Sequence, residues 1–328
     1  MTPSHTRRVR LRKVDVLRLT ARAPFNFRLT TWKPSHFATG LESHSKTVTR
    51  RSFRLGNSFV AVEMSMETRA LVASVYANGQ WTDDMRLRLG QRLQRAYGLS
   101  EDISEFARLA AKVPATKEAA RQLHGMRISC PESLFEISVL SLLLQNTTIG
   151  RSTQMMELLL NHYGAIVQAP GWSLRAFFSP DEMLGVSEAD LRSICRMGYR
   201  AKYLPRFAEF FSANPEEALA ETTPAALRAA VEQIKGVGPY TSNVIASHAL
   251  RDPDALPIDV WNRRLLARAL LGVPDAAASR IQRRLSRLFP GTAGLAALYL
   301  IEAEYLSKPL DPLKDLSGPP ARPRSRTP

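Results

Sequence analysis

Cysteine is nearly absent from this chain of 328 residues: only Cys130 and Cys195 are present, far apart and in no C-x-x-C pair. That count excludes a disulfide scaffold and a four-cysteine zinc or iron–sulfur site. A reducing, intracellular setting is the simple expectation. Long apolar runs are also missing. No stretch reaches the eighteen residues expected of a membrane span. The opening MTPSHTRRVRLRK lacks the apolar middle of a secretory signal. It is Arg-rich and acid-poor, as a transit peptide is, but the next segment already has a strand pattern.

Acidic residues are scarce relative to basic ones. Lys and Arg number 45 against 30 Asp and Glu, a formal net charge of +15. Arg7, Arg8, Arg10, Arg12 and Lys13 near the start and Arg322, Arg324 and Arg326 near the end supply about half of that surplus. The folded body is therefore basic in its own right, which makes nucleic acid the leading partner. With 45% hydrophobic residues the chain can bury a sizeable core without a staple.

Patterning divides the chain into four parts. Residues 1–12 are a basic flexible tail, 13–100 a mixed β/α domain, 101–308 a larger helical domain, and 309–328 a Pro/Arg-rich disordered tail. In the first domain, TRRSFRLGNSFVAVEMS alternates on either side of Gly56-Asn57, a hairpin signal. ALVASVYANGQW repeats the pattern up to Asn78-Gly79. From Asp83 the period becomes helical, with Met85, Leu87, Leu89, Leu93 and Tyr97 marking a basic amphipathic helix that ends near Gly98. After residue 101 the pattern predicts helices only. ESLFEISVLSLLLQ is apolar nearly all round and predicts a buried central helix. In VWNRRLLARALLG, Trp261, Leu265, Leu266, Ala269 and Leu270 share one face, closed by Gly272. The fold class is α+β: a small β-rich domain followed by an all-helical one.

The run IKGVGPYTSNV at Ile234–Val244 has the look of a phosphate loop, but it is neither a Rossmann nor a Walker motif. The third Rossmann glycine is replaced by Thr241, and no Gly-Lys-Ser/Thr ending exists. What remains is a helix over Pro224–Ile234, a hairpin at Lys235-Gly236-Val237-Gly238, and a second helix begun by Pro239, a favoured first position. Two glycines let the backbone turn and bring N–H groups close to an anion. Such a device grips one nucleic-acid phosphate without reading sequence. A plain helical turn with a glycine cap explains the same residues. Asp259, 21 positions beyond Gly238, stands where a helix N-cap is expected, a role worth about 1 kcal/mol. The same carboxylate suits the stabilisation of positive charge on a deoxyribose.

GVGPYT, the helix after it and PIDVWNRR resemble the helix–hairpin–helix DNA glycosylase superfamily. SCPESLFEISVLSLLLQNTTIGRSTQMMELLLNHYG is similar to that family's buried helix and DNA-probing loop. MGYRAKYL and the β-rich APFNFRLTTW region are similar to its 3-methyladenine and 8-oxoguanine branches. About 300 residues are covered in the expected order. The resemblance implies base excision repair chemistry on damaged double-stranded DNA by a monomer. The setting is the bacterial cytoplasm and nucleoid, or another intracellular DNA-containing compartment.

A glycosylase must flip its base, which requires a wedge, a pocket and a charge. The resemblance implies that Gln145, Asn146 and Thr147 form the wedge loop, with Asn146 filling the gap. It implies that Gly236, Val237, Gly238, Tyr240 and Thr241 meet the DNA. Asp259 is the catalytic carboxylate. Tyr240, Trp261, Phe135, Tyr199 and Trp32 are the aromatic candidates for the base pocket, although each is equally suited to a core. Arg151, Arg200, Arg263 and Arg264 are candidate phosphate contacts, with a solvated helix face as the simpler explanation. No metal or cofactor is expected beyond a monovalent cation at the hairpin.

Tyr240 departs from the bifunctional pattern, in which a lysine here forms a Schiff base. Lys235 and Lys202 do not occupy that place. The expectation is a monofunctional enzyme for alkylated purines such as 3-methyladenine. The alternatives are a glycosylase for oxidised or deaminated bases (8-oxoguanine, uracil, hypoxanthine) and a non-catalytic lesion-binding module.

Overall fold

The computed structural model describes residues 7–37 and 39–307. The expected C-terminal tail, with Arg322, Arg324 and Arg326, and the first six residues lie outside the described residues.

The strands are β1 (Arg7–Arg10), β2 (Arg12–Thr20), β3 (Glu42–His44), β4 (Thr49–Leu55), β5 (Ser58–Glu67), β6 (Ala70–Ala77), β7 (Ala165–Ala169) and β8 (Trp172–Ala176). The first seven helices are α1 (Phe27–Thr31), α2 (Asp83–Ala96), α3 (Ser104–Lys112), α4 (Pro114–Gln122), α5 (Leu134–Leu144), α6 (Ile149–His162) and α7 (Pro180–Met183). The next are α8 (Glu188–Ser193), a 3₁₀ turn (Gly198–Lys202), α9 (Leu204–Ala213), α10 (Glu216–Ala220), α11 (Pro224–Glu232) and α12 (Pro239–Leu250). Last come α13 (Val260–Leu271), α14 (Ala278–Leu288) and α15 (Ala293–Ser307).

Strands β2-β6-β5-β4-β3 form an antiparallel sheet. The β4–β5 hairpin closes at Gly56-Asn57, with Leu55 opposite Ser58. Alternation along β5 then serves two cores. Val60, Val62 and Met64 pack with Leu89, Leu93 and Tyr97 at the α2 side. Phe59 and Ala61 face the other way, onto β1, β7 and β8. Asn78-Gly79 does not close a hairpin; it leads into α2, whose first turn is capped by Thr82 accepting from the Met85 N–H.

Two expectations fail together here. Arg7–Arg10, assigned to a flexible tail, pairs in parallel with β7, and Arg12 already belongs to β2. The region after residue 101 is not all helical, because β7 and β8 form a hairpin around Pro170-Gly171. The signal was present in the sequence. Ala165, Val167 and Ala169 alternate inward, and a Pro-Gly turn with Gly171 at φ +81 joins the strands. Five-residue strands are simply too short to outweigh the helical pattern around them. The two units thus share a sheet, and β1 stitches the N-terminal one onto the helical one.

Helix α5 is the buried centre of the helical unit. Ser133 and Glu136 form a reciprocal capping box at its start, and nine of its eleven residues are buried. It lies antiparallel against α12, and each end of the pair is tied by polar groups. At one end Gln145 Nε2 donates to the Gly236 carbonyl at 3.1 Å. At the other, His248 stands 3.6 Å from Glu132. Arg251 then takes the left-handed conformation that ends α12 and bonds Glu101, the Ala96 carbonyl and the Ile128 carbonyl. Helix α13 buries Leu265, Leu266, Ala267 and Leu270. Ala269 is exposed, a correction to the predicted face, and Trp261 is only partly covered.

Candidate functional site

Helices α11 and α12 form the predicted helix–hairpin–helix. Ser242 of α12 donates to Glu232 of α11 at 2.5 Å, fixing the crossing of the two helices. Val237 sends its N–H back to the Ile234 carbonyl at 3.0 Å, and its side chain packs on the core below. Gly236 adopts φ +108, and a Cβ there would lie 2.7 Å from the Tyr203 ring. Both conformation and space therefore demand glycine.

Gly238 caps α12 in extended conformation, with Pro239 behind it and no side-chain acceptor for the first-turn amides. Those amides form the positive end of the helix and suit an anion. The Thr241 side chain is buried at 3% exposure. Only its backbone can meet a ligand, which corrects the expected side-chain contact.

Gln145, Asn146 and Thr147 follow α5 directly, and this loop is welded to the hairpin by the Gln145–Gly236 bond. The Gln145 carbonyl also accepts from Tyr199 Oη at 3.4 Å and from the Arg200 guanidinium. Asn146 is exposed and holds φ +46, a conformation that asparagine tolerates better than most residues. Thr148 then caps α6. The hairpin, the loop and the Gly-Tyr-Arg-Ala segment, scattered over about ninety residues, thus meet at one edge of the molecule.

Asp259 caps α13. Its Oδ1 accepts from the Asn262 N–H at 2.8 Å, and Asn262 Oδ1 accepts from the Asp259 N–H at 2.8 Å. Asn262 is itself fixed by the Pro257 carbonyl at 3.1 Å. Among the described residues Oδ2 accepts no hydrogen bond. Capping and chemistry therefore need not compete, because one oxygen orients the carboxylate and the other faces outward. The loop that carries Asp259 is seated on α15 at Gly294, where a Cβ would come 2.1 Å from the Ala255 carbonyl oxygen.

The aromatic candidates separate. Tyr240 and Trp261 gather at Asp259, both about two-fifths exposed. They are joined by Tyr305 of α15, whose ring centroid lies 5.2 Å from that of Trp261. Sequence patterning missed Tyr305, because α15 is apolar nearly all round and its residues look like core. Desolvation and then the Asp259 charge push the Tyr240 phenol up to about 12. Desolvation, Glu302 and Asp259 do the same for Tyr305. Both phenols thus stay neutral donors.

Phe135 does not belong to this group. It is buried among Phe177, Phe178 and Phe211, a correction to the predicted pocket. Tyr199 sides with the Gln145 loop instead. Trp32 stacks on His36 at 3.8 Å and on His44 at 5.3 Å within the N-terminal unit. Its segment reaches the site indirectly. Ser35 donates from N and Oγ to Glu302 at 2.8 and 2.6 Å, one turn before Tyr305.

The expected phosphate arginines are mostly committed to the protein itself. Arg200 is buried, Arg151 bonds Gln154 and the Arg196 carbonyl, and Arg263 and Arg264 face Asp275. Lys235 is exposed on the hairpin, whereas Lys202 lies 4.9 Å over the Tyr203 ring.

Residues 139–291 match the family model described as HhH-GPD superfamily base excision DNA repair protein. The chain is 24% identical to the probable N-glycosylase/DNA lyase of Methanothermobacter thermautotrophicus, over 57% of this chain and 65% of that protein. It is 23% identical to the DNA-3-methyladenine glycosylase of Bacillus subtilis, over 50% of this chain and 54% of that one. The chain therefore spans less than two-thirds of either curated relative. A solved 3-methyladenine DNA glycosylase from Archaeoglobus fulgidus shares the fold with a TM-score of 0.75 at 18% identity, covering 88% of this chain and 98% of the other. Residues 139–291, which hold the hairpin, the Gln145 loop and Asp259, are a domain of the HhH-GPD superfamily of base excision DNA repair proteins.

Proposed function

We propose that the protein is a monofunctional DNA glycosylase that removes alkylated purines, of the 3-methyladenine kind, by hydrolysis. The observation that carries this reading is Tyr240. A phenol, not an amine, stands in the first turn after the hairpin and lies close enough to Asp259 for the carboxylate to raise its pKa. A phenol cannot form the Schiff base that starts a lyase step.

In this reading the hairpin amides hold one phosphate of damaged duplex DNA. Asn146, at the tip of its loop, fills the gap left by the flipped nucleotide. The base stacks among Tyr240, Trp261 and Tyr305. An electron-rich aromatic cage favours a cationic base, which leaves as a neutral molecule once its glycosidic bond breaks. Asp259 Oδ2 then has one task, to stabilise the oxocarbenium character of the deoxyribose and to orient the attacking water. The named activity of the Bacillus subtilis relative agrees with this substrate class.

The name of the Methanothermobacter thermautotrophicus relative favours a second reading, a glycosylase with lyase activity. Two assays separate them. Duplexes bearing one alkylated purine, 8-oxoguanine, uracil or hypoxanthine are incubated with the full chain, and release is expected from the first alone. Borohydride added during turnover is expected to trap no covalent adduct. A trapped adduct overturns the monofunctional claim, and release confined to 8-oxoguanine overturns the substrate class.

A further inference from the structure

The N-terminal end of α5 borders a cleft of about 440 Å³ between the two units. On one side stand Arg54 of β4 and Arg88, Arg92 and Arg95 of α2, and on the other lie Phe135, Phe177 and Phe178. Its charges do not balance. Arg88 pairs with Asp84 and Arg95 with Glu216. Glu136 is occupied by Arg51 and the Ser133 N–H. Arg92 has no carboxylate partner among the described residues; its Nη1 donates to the Arg54 carbonyl at 3.0 Å. Arg54 reaches Glu182 with Nη2 at 3.2 Å, while its Nε and Nη1 are buried without a hydrogen-bond partner.

Buried guanidinium nitrogens left unpaired are costly, and they call for an acceptor. Both guanidinium groups are also held in place by rings, Arg54 at 4.1 Å over Phe59 and Arg92 at 4.9 Å over Phe53. The donors are thus fixed before any ligand arrives, which lowers the entropy lost on binding. Opposite them the phenylalanines offer apolar faces to a planar group.

We propose that this cleft binds an organic phosphate of nucleoside-monophosphate size, with its phosphate on Arg54 and Arg92 and its base against Phe135 and Phe177. The cleft is separate from the hairpin. It lies at the opposite end of the eleven residues of α5 from Gln145, about 16 Å away at 1.5 Å per residue. The proposal stands apart from the reading of the hairpin and Asp259.

Titration of the full chain with AMP, followed by calorimetry, tests it. AMP is expected to bind, and inorganic phosphate about tenfold more weakly because it lacks the stacking half. Arg92→Gln is expected to weaken AMP about tenfold or more through one lost charge-assisted bond. Arg88→Glu, at the exposed rim, is the safeguard should Arg92→Gln not fold. It is expected to weaken AMP while leaving the unliganded melting temperature and base release unchanged. The proposal is overturned by failure of AMP to bind at millimolar concentration or by undiminished binding to both variants. Equal binding of inorganic phosphate overturns it, as does competitive displacement of AMP by undamaged duplex, which would place the nucleotide at the hairpin.

Discussion

The two ends of the antiparallel α5–α12 pair are built on opposite principles. At the end holding Gln145 and the hairpin, side chains are exposed and amides lack protein acceptors. Asn146 there occupies a left-handed conformation. At the other end charges are buried and densely paired. Arg51, 1% exposed, bridges Glu42 and Glu136. Glu42 also meets His36 at 3.0 Å, His248 faces Glu132, and Arg251 clamps Glu101. The first end is unsatisfied by protein and so has bonding capacity left for a ligand. The second is satisfied by protein and holds the N-terminal unit against the helical one. A residue's charge therefore says little about its role until its partners are known.

The largest effect is expected at the buried end. Arg51→Met leaves Glu42 and Glu136 buried without their cation, and the loss of one member of such a set costs about 3–5 kcal/mol. Thermal unfolding should show a large fall in melting temperature, partly recovered by adding Glu136→Gln. Base release per folded molecule should not change. A normal melting temperature for Arg51→Met would mean that the charge network does not hold the units together.

The open end predicts the reverse pattern. Asp259→Asn keeps the α13 cap, since asparagine caps as well as aspartate, so stability should hold. Base release in single-turnover assays should fall about 10²–10³-fold, the usual scale for one preorganised electrostatic group. DNA affinity should persist. Undiminished release removes Asp259 from the mechanism.

The contrast also explains what the sequence could and could not disclose. The hairpin, the α5 core and the Asp259 cap depend on neighbours within a few positions. Glycine, proline and capping patterns announce them locally. Tyr305 and the Ser35–Glu302 bond depend on contacts 267 positions apart in the latter case, and no local pattern encodes them. Arg51 lies in a strand that looks half-exposed in sequence, yet its partners come from β3 and α5. Phe135 erred the other way. An aromatic beside a recognised motif was expected in the pocket, but its place on α5 points it to the core. Local chemistry was legible, whereas partnership across the chain was not.

A third test compares the ends through pH. Burial disfavours the His248 imidazolium, but Cys130 and Glu132 outweigh it and raise the pKa from 6.5 to about 10. Stability from this group is complete below 6.5 and is lost as pH rises toward 10. Burial pushes Glu132 up, but His248 and Arg51 hold it at about 2 instead of 4.5. Its contribution is complete above 4.5 and is lost as pH falls toward 2. Arg251 and the Cys130 thiol also face this group, so Cys130→Ala isolates the sulfur's share. Melting temperature should plateau between about 4.5 and 6.5, and His248→Gln should flatten the alkaline limb. A limb unchanged in His248→Gln assigns the decline elsewhere.

The smallest and sharpest test lies within the hairpin, where two glycines two positions apart have different reasons to exist. Gly236 sits at φ +108 with Tyr203 where a Cβ would go. Alanine there is expected to cost more than about 1 kcal/mol of stability, by backbone strain and by displacement of the ring. Gly238 has an ordinary extended backbone, and a Cβ on it meets nothing within 4 Å. The fold gives no reason for glycine at that position. Close approach of a phosphate to the α12 amides does give one. Gly238→Ala should therefore leave the melting temperature unchanged and weaken DNA binding up to about tenfold, the worth of one charge-assisted hydrogen bond. Equal DNA affinity in Gly238→Ala and the parent would show that no phosphate reaches the first turn of α12. The open end would then owe its exposure to something other than nucleic acid.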